Sequence, residues 1–245
     1  MCGRYTNTAG PEEVSGRLEV RLPDARGTGR YNVAPTEEVL AVVAPRGERE
    51  ARMLRWGLIP HWMGRKGSAG NAYKMINARM ETAASKPVYS ELLASASHRA
   101  LQVADGWFEW LKPERPRQPR QPFHYTVDDG IVFAFASLWT TARDEQGERI
   151  ESVTLLTCDA GGNDVVRAVH DRMPVVLADP ELQAAWLDPG VDAEEALALC
   201  GALGAERTRV RPANPAVNRP DVTLEGPDLL VAPPEPSAAA TSGGP

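Results

Sequence analysis

The apolar stretches of this chain are short, and proline or glycine cuts most of them. With 21 prolines and 21 glycines in 245 residues, long helices have little room. Proline removes a backbone donor and clashes inside a helix, and glycine weakens one. Nearly continuous or alternating apolar runs at 39–44, 50–58, 99–104, 107–110, 123–127, 131–137 and 153–158 predict strands. Pro45-Arg46-Gly47 predicts a turn between the first two, and Asp128-Asp129-Gly130 a hairpin turn between 123–127 and 131–137. Helical spacing predicts short helices at 11–20, 87–96, 163–169, 180–187 and 192–203. Asp179-Pro180 reads as a cap with proline at the first position, and Asp192 with Glu195 as a capping box. Residues 30–36 read as an extended, proline-ended loop, and 208–217 as extended and proline-interrupted. Strands do not alternate regularly with long helices, which argues against a doubly wound parallel sheet. The expected fold is one α+β domain, 1–232, built on a curved, mainly antiparallel β core with short peripheral helices. The proline, alanine, serine and glycine residues of 233–245 predict a disordered tail.

Composition narrows the function classes. No apolar run reaches the roughly 18 residues of a membrane span, and no basic-then-apolar leader opens the chain. Cys2, Cys158 and Cys200 are odd in number and far apart, which argues against a disulfide framework and against zinc spacing. A cytoplasmic protein is expected, with no metal or other cofactor and no membrane partner. The net charge of −6 is unevenly spread: residues 176–245 hold 11 acids against 4 arginines, leaving residues 1–175 at +1. The first part is therefore free to present a local basic groove.

Cys2 follows the initiator methionine. Cysteine is small enough for that methionine to be trimmed, which would leave an α-amine and a thiol on one residue. Alone this is a weak signal, since chain ends are usually frayed. Three more polar groups sit among apolar or aromatic neighbours. Asn77 could cap the helix that follows it. Glu109, between Trp107-Phe108 and Trp110, could pair with an arginine, and His170 could be a satisfied structural histidine. The Trp56-Gly57-Leu58-Ile59-Pro60-His61-Trp62 cluster reads either as a core plug or as an apolar shelf for bases. The arginine- and proline-rich 112–122 reads as a hairpin loop, and the glycine- and serine-rich 63–72 as a solvated loop.

Six motifs occur in order: MCGRY, YNVAPT, RWGLIPHW, INARMET, ADGWFEW and HDRMPVVL. Together they closely resemble the SOS response-associated peptidase family, whose members process abasic sites and crosslink to single-stranded DNA. The resemblance runs from Met1 to about Val217, where PAVN looks like the family's last strand motif. It implies a barrel-like β core and a positively charged DNA groove. It implies that Cys2 is the crosslinking residue, Asn77 an active-site amide, Glu109 a catalytic carboxylate and His170 a catalytic histidine. It also implies that Arg4, Arg79 and Arg172 hold phosphates, and that Trp56 and Pro60 lie at the apolar surface near the bases. Trp107 and Phe108 depart from the family's more usual GFYEW, and Cys158-Asp159-Ala160 from Thr-Glu-Ala.

The expected partner is thus single-stranded DNA carrying an abasic site, bound by a monomer that joins the nucleoid at damaged DNA. Cys2 would form an imine with the sugar aldehyde and close it to a thiazolidine. The aromatic setting of Glu109 should raise its pKa and suit it to moving protons. Two other readings stay open: an N-terminal-nucleophile cysteine peptidase, and a single-strand-binding module without catalysis.

Overall fold

The computed structural model of the protein describes residues 2–63, 75–113, 115, 119–218 and 225–233. Met1, most of the glycine- and serine-rich stretch, part of the arginine- and proline-rich loop, and the tail from 234 lie outside the described residues.

Five strands close into a barrel: β3 (Glu38–Val43), β4 (Glu50–Trp56), β6 (Arg99–Ala104), β9 (Phe133–Arg143) and β10 (Arg149–Asp159). Around the ring β4 pairs β3, β3 pairs β6, β6 pairs β9 and β9 pairs β10, all antiparallel. The ring closes where β10 runs parallel to β4, Ser152 beside Arg55 and Val153 beside Trp56. Closure removes the free edges that an open sheet leaves exposed. Three short strands extend it: β5 (Asn77–Arg79) and β11 (Arg172–Pro174) on β10, and β12 (Val176–Leu177) on β9.

A second sheet packs on the barrel. It contains β1 (Arg4–Asn7), β2 (Arg30–Val33), β7 (Gly106–Trp110), β8 (Pro122–Val127) and β13 (Thr208–Pro212), in the order β13-β8-β7-β1-β2. Its inner face is aromatic. The Trp107 and Tyr125 rings stack 5.2 Å apart, and Tyr5 meets Trp56 and Phe135 of the barrel edge-on at 5.3 and 5.7 Å. Such rings bury large apolar areas, so this contact anchors one sheet to the other. Short helices lie outside: α1 (Pro11–Arg17), α2 (Met80–Ala83), α3 (Pro87–Leu93), α4 (Asp164–Arg167), α5 (Pro180–Leu187) and α6 (Ala193–Ala198).

The expected α+β domain with a mainly antiparallel, barrel-like core is what the chain forms. The capping box at Asp192 and Glu195 is present, although α6 ends at Ala198. Four local expectations fail for physical reasons. Residues 123–127 and 131–137 form no hairpin: β8 pairs β7 and β13, whereas β9 belongs to the barrel. The turn at Asp128 (φ 48°) and Gly130 (φ 87°) carries the chain between sheets, and Arg207 holds Asp128 there at 2.8 Å. Asp179 caps nothing with its side chain, which pairs with Arg207 at 2.8 Å instead. Residues 30–33 are an edge strand rather than loop, because β1 is there to pair with them. PAVN is a 3₁₀ turn, Pro215–Asn218, not a strand.

Two glycines set the path of the chain near the site. Gly57 (φ 126°) turns it out of β4, a conformation L side chains rarely adopt. Gly106 lies under the buried His124 ring; a Cβ there would come within 2.4 Å of Nε2 and 2.7 Å of the Tyr125 carbonyl. Gly106→Ala is expected to destabilise the protein by about 3 kcal/mol, since neither neighbour can move cheaply. A urea midpoint equal to wild type would contradict that.

Candidate active site

The site forms where the start of β1 meets β5 and the C-terminal half of β10. The register of β1 on β7 places Arg4 opposite Phe108 and Tyr5 opposite Trp107, so continuing it brings Gly3 opposite Glu109. β5 carries Asn77 in along β10, with Asn77 beside Leu155. β11, also on β10, begins two residues after His170.

Cys2 is fully buried, and its thiol contacts the Arg4 carbonyl at 3.7 Å. Asn77 Nδ2 donates to the Cys2 carbonyl at 2.8 Å. Asn77 Oδ1 is buried without a partner among the described residues, so the amide has an acceptor left to offer. Asn77 therefore holds Cys2 and does not serve as a helix cap, for α2 has no side-chain cap. Cys158 and Cys200 are also free, and Cys158 is a core residue.

Burial pushes the Cys2 thiol far above its ordinary pKa, and the Glu109 charge adds to the effect. Glu109 is 1% exposed. Burial pushes its carboxyl up to about 7, with a smaller contribution from Asp171. Burial holds the His170 imidazole below its usual value. Electrostatics thus link Cys2 to Glu109 and Glu109 to the His170-Asp171 turn. At neutral pH the site holds a protonated thiol, a carboxyl near its midpoint and a neutral imidazole.

The remaining expected residues divide. Arg4 is half-buried and donates to Asn32 Oδ1 at 2.8 Å. Arg79 is exposed. Arg172 is 8% exposed and pairs with the exposed Glu81 carboxylate at 2.6 and 2.9 Å and with the Thr157 carbonyl at 2.7 Å. Trp56 is fully buried, with its indole N–H on the Ile76 carbonyl at 2.9 Å, and Pro60 is buried as well. Neither can stack on a base, so the core-plug reading of that cluster holds for them. The exposed ring is Trp62, 52% exposed, with His61 edge-on at 5.1 Å. Trp62, Asn32 and Glu81 sit inside three of the six sequence motifs. Sequence reasoning reached Trp62 only as part of its cluster and passed over Asn32 and Glu81, because a side chain's burial and its partner are set by the fold.

Among the described residues no cluster of His, Cys, Asp or Glu could hold a metal ion, and no helix is long and apolar enough to cross a membrane. A cleft of about 430 Å³ beside β4 and β10, lined by Arg55, Ile59, Arg149 and Glu151 among others, contains none of the four central residues.

The family model described as SOS response associated peptidase matches residues 1–220. The chain belongs to this family. The Escherichia coli abasic site processing protein YedK is 31% identical over 241 residues, covering 94% of this chain and 99% of its own. The Bacillus subtilis abasic site processing protein YoaM is 32% identical over 191 residues, covering 77% and 80%. A crystal structure of a Bacteroides thetaiotaomicron protein superposes with a TM-score of 0.82 over 95% of this chain and all of its own, at 21% identity. That likeness speaks for the fold. The matched residues include Cys2, Asn77, Glu109 and His170.

Proposed function

We propose that this protein recognises abasic sites in single-stranded DNA and joins itself to them through Cys2 as a thiazolidine. The observation that carries the reading is the hydrogen bond from Asn77 to the Cys2 carbonyl, beside a carboxyl raised by burial to about 7. A chain end is ordinarily mobile; here its second residue is held by an amide and enclosed. The names of the relatives supply the substrate class.

Removal of Met1 frees the α-amine of Cys2. Its ordinary pKa is about 7.7–8.0, so a useful fraction is neutral at cellular pH. The nitrogen attacks C1′ of the ring-opened sugar. The resulting carbinolamine loses water, its oxygen leaving with a proton from Glu109 or His170 and its nitrogen giving one up. The thiol then adds to the same carbon and its proton passes to nitrogen, closing a five-membered ring with no change in oxidation state. The second attack is intramolecular and gains from proximity. Asn77 Oδ1 is the acceptor that orients the amine. Arg4 and Arg79 hold phosphates, and Trp62 stacks a base.

The raised thiol pKa favours this order of events over a peptidase. A cysteine peptidase needs a lowered thiol pKa, from a neighbouring cation or a helix N-terminus. At Cys2, burial and the Glu109 carboxylate outweigh the lowering by the amino-terminal cation and the Arg4 hydrogen bond.

Incubation with single-stranded DNA carrying one abasic site tests the reading. A heat-stable band on a denaturing gel, with the DNA mapped by mass to residue 2, is expected. A linkage elsewhere, or binding without such a band, would overturn it. Trp62→Ala is expected to weaken single-strand binding by about 1–2 kcal/mol, because stacking on an exposed ring contributes on that order. Equal affinity in a titration would remove Trp62 from the interface. Binding should also weaken as salt rises, as phosphate contacts require.

A further inference from the structure

We infer that Glu81 is a positioning residue that fixes the tautomer of His170 through Arg172; this rests on the reading of His170 as a working group of the site. Glu81 is the second residue of α2, four past Asn77. Its two carboxylate oxygens take Arg172 Nη1 and Nη2 at 2.6 and 2.9 Å. The oxygen that takes Nη1 also accepts the Asp159 N–H at 2.9 Å. Asp159 and Arg172 are cross-strand partners on β10 and β11. One carboxylate therefore ties α2, which directly follows the strand of Asn77, to both of these strands. A bidentate arginine pair restricts orientation as well as distance.

The part of Arg172 that faces His170 is its backbone. The Arg172 N–H donates to His170 Nδ1 at 2.9 Å. A ring nitrogen that accepts carries no proton, so the neutral ring holds its hydrogen on Nε2. Asp171 Oδ1 lies 3.0 Å from the same Nδ1, and that contact needs the opposite state, with a proton on Nδ1. The two contacts exclude one another. Which forms depends on where the Arg172 N–H points, and the Glu81 clamp fixes that. With the clamp closed, His170 presents an Nε2–H donor suited to a departing oxygen. With it open, Asp171 draws a proton to Nδ1 and leaves Nε2 bare. The Asp171 side chain is 82% exposed and free to compete.

The test uses the full chain labelled with ¹⁵N-histidine, together with single-turnover crosslinking to abasic-site single-stranded DNA. Wild type is expected to show the Nε2–H tautomer at His170 in long-range ¹H–¹⁵N spectra. Glu81→Gln should give mixed tautomers and slow crosslinking roughly tenfold, as loss of orientation at a reacting centre does. Its DNA affinity should not fall, because no positive charge is removed. A single Nε2–H signal with an unchanged rate would overturn the proposal. If Glu81→Gln fails to fold, Glu81→Asp decides: its shorter arm cannot span Arg172 and the Asp159 N–H together, so mixed tautomers are expected and an unmixed signal overturns the clamp. His170→Ala separates the two layers. A wild-type crosslinking rate there would overturn His170's part in the reaction, while the tautomer result would still report on the clamp.

Discussion

Cys2→Ala is expected to bind abasic-site DNA as wild type does and to lose the heat-stable adduct. The variant keeps its α-amine after Met1 is trimmed, so it can still form an imine at C1′. It has no sulfur to close the ring. Borohydride should therefore trap the variant on DNA, whereas heating without reductant should release it. Adduct half-life should fall on the order of 100-fold or more, because an open imine hydrolyses while the ring forms by a favoured intramolecular step. Cys2→Ser should behave similarly, its hydroxyl being a poorer nucleophile. Neither change should unfold the protein: Cys2 is enclosed but small, and Asn77 holds its backbone carbonyl, which both variants retain. A Cys2→Ala adduct that survived heating unreduced would place the linkage on another atom and end the thiazolidine reading.

The strands were legible because alternation has a short period. The run at 99–104 is β6 residue for residue, and Trp107-Phe108-Glu109-Trp110 is β7 with one more glycine. Period two says that a segment is a strand but not which strand it pairs. This is why 123–127 and 131–137, joined by a plausible turn, part into different sheets. Cys2, Asn77, Glu109 and His170 were legible as residue types in ordered motifs. Their convergence was not, because it depends on β5 and β11 both docking on β10. The same limit explains Arg172. Its partner Glu81 lies 91 positions away, so the pairing of an arginine that the family resemblance makes a phosphate ligand could not be read from the sequence. Trp56 shows the converse. Its cluster read either as a core plug or as a shelf for bases, and the fold splits it: Trp56 is buried and Trp62 remains outside.

Glu109→Gln should make the protein more stable and a worse catalyst. Burial raises the carboxyl from 4.5 to about 7, so between those values the folded state binds a proton that the unfolded state has released. Stability then falls with rising pH at up to about 1.4 kcal/mol per unit across that window. Below it both states are protonated and the group makes no difference. Above it both are ionised and a loss of roughly 3 kcal/mol is complete. Glutamine never ionises. Glu109→Gln should therefore match wild type at about pH 4 and exceed it by roughly 2 kcal/mol at about pH 8, allowing for the cost of burying the amide. Denaturant midpoints at the two pH values check this, and a constant difference between the proteins would show that burial does not govern the group. Crosslinking should move the other way. Glutamine keeps the shape but can neither give nor take the proton that the departing water requires, so single-turnover rates should fall roughly 100-fold. The rate limb with its midpoint near 7 should disappear with them. A carboxyl that costs stability at working pH persists in a core only where its protonation is used, and Cys2 is the group beside it to use it.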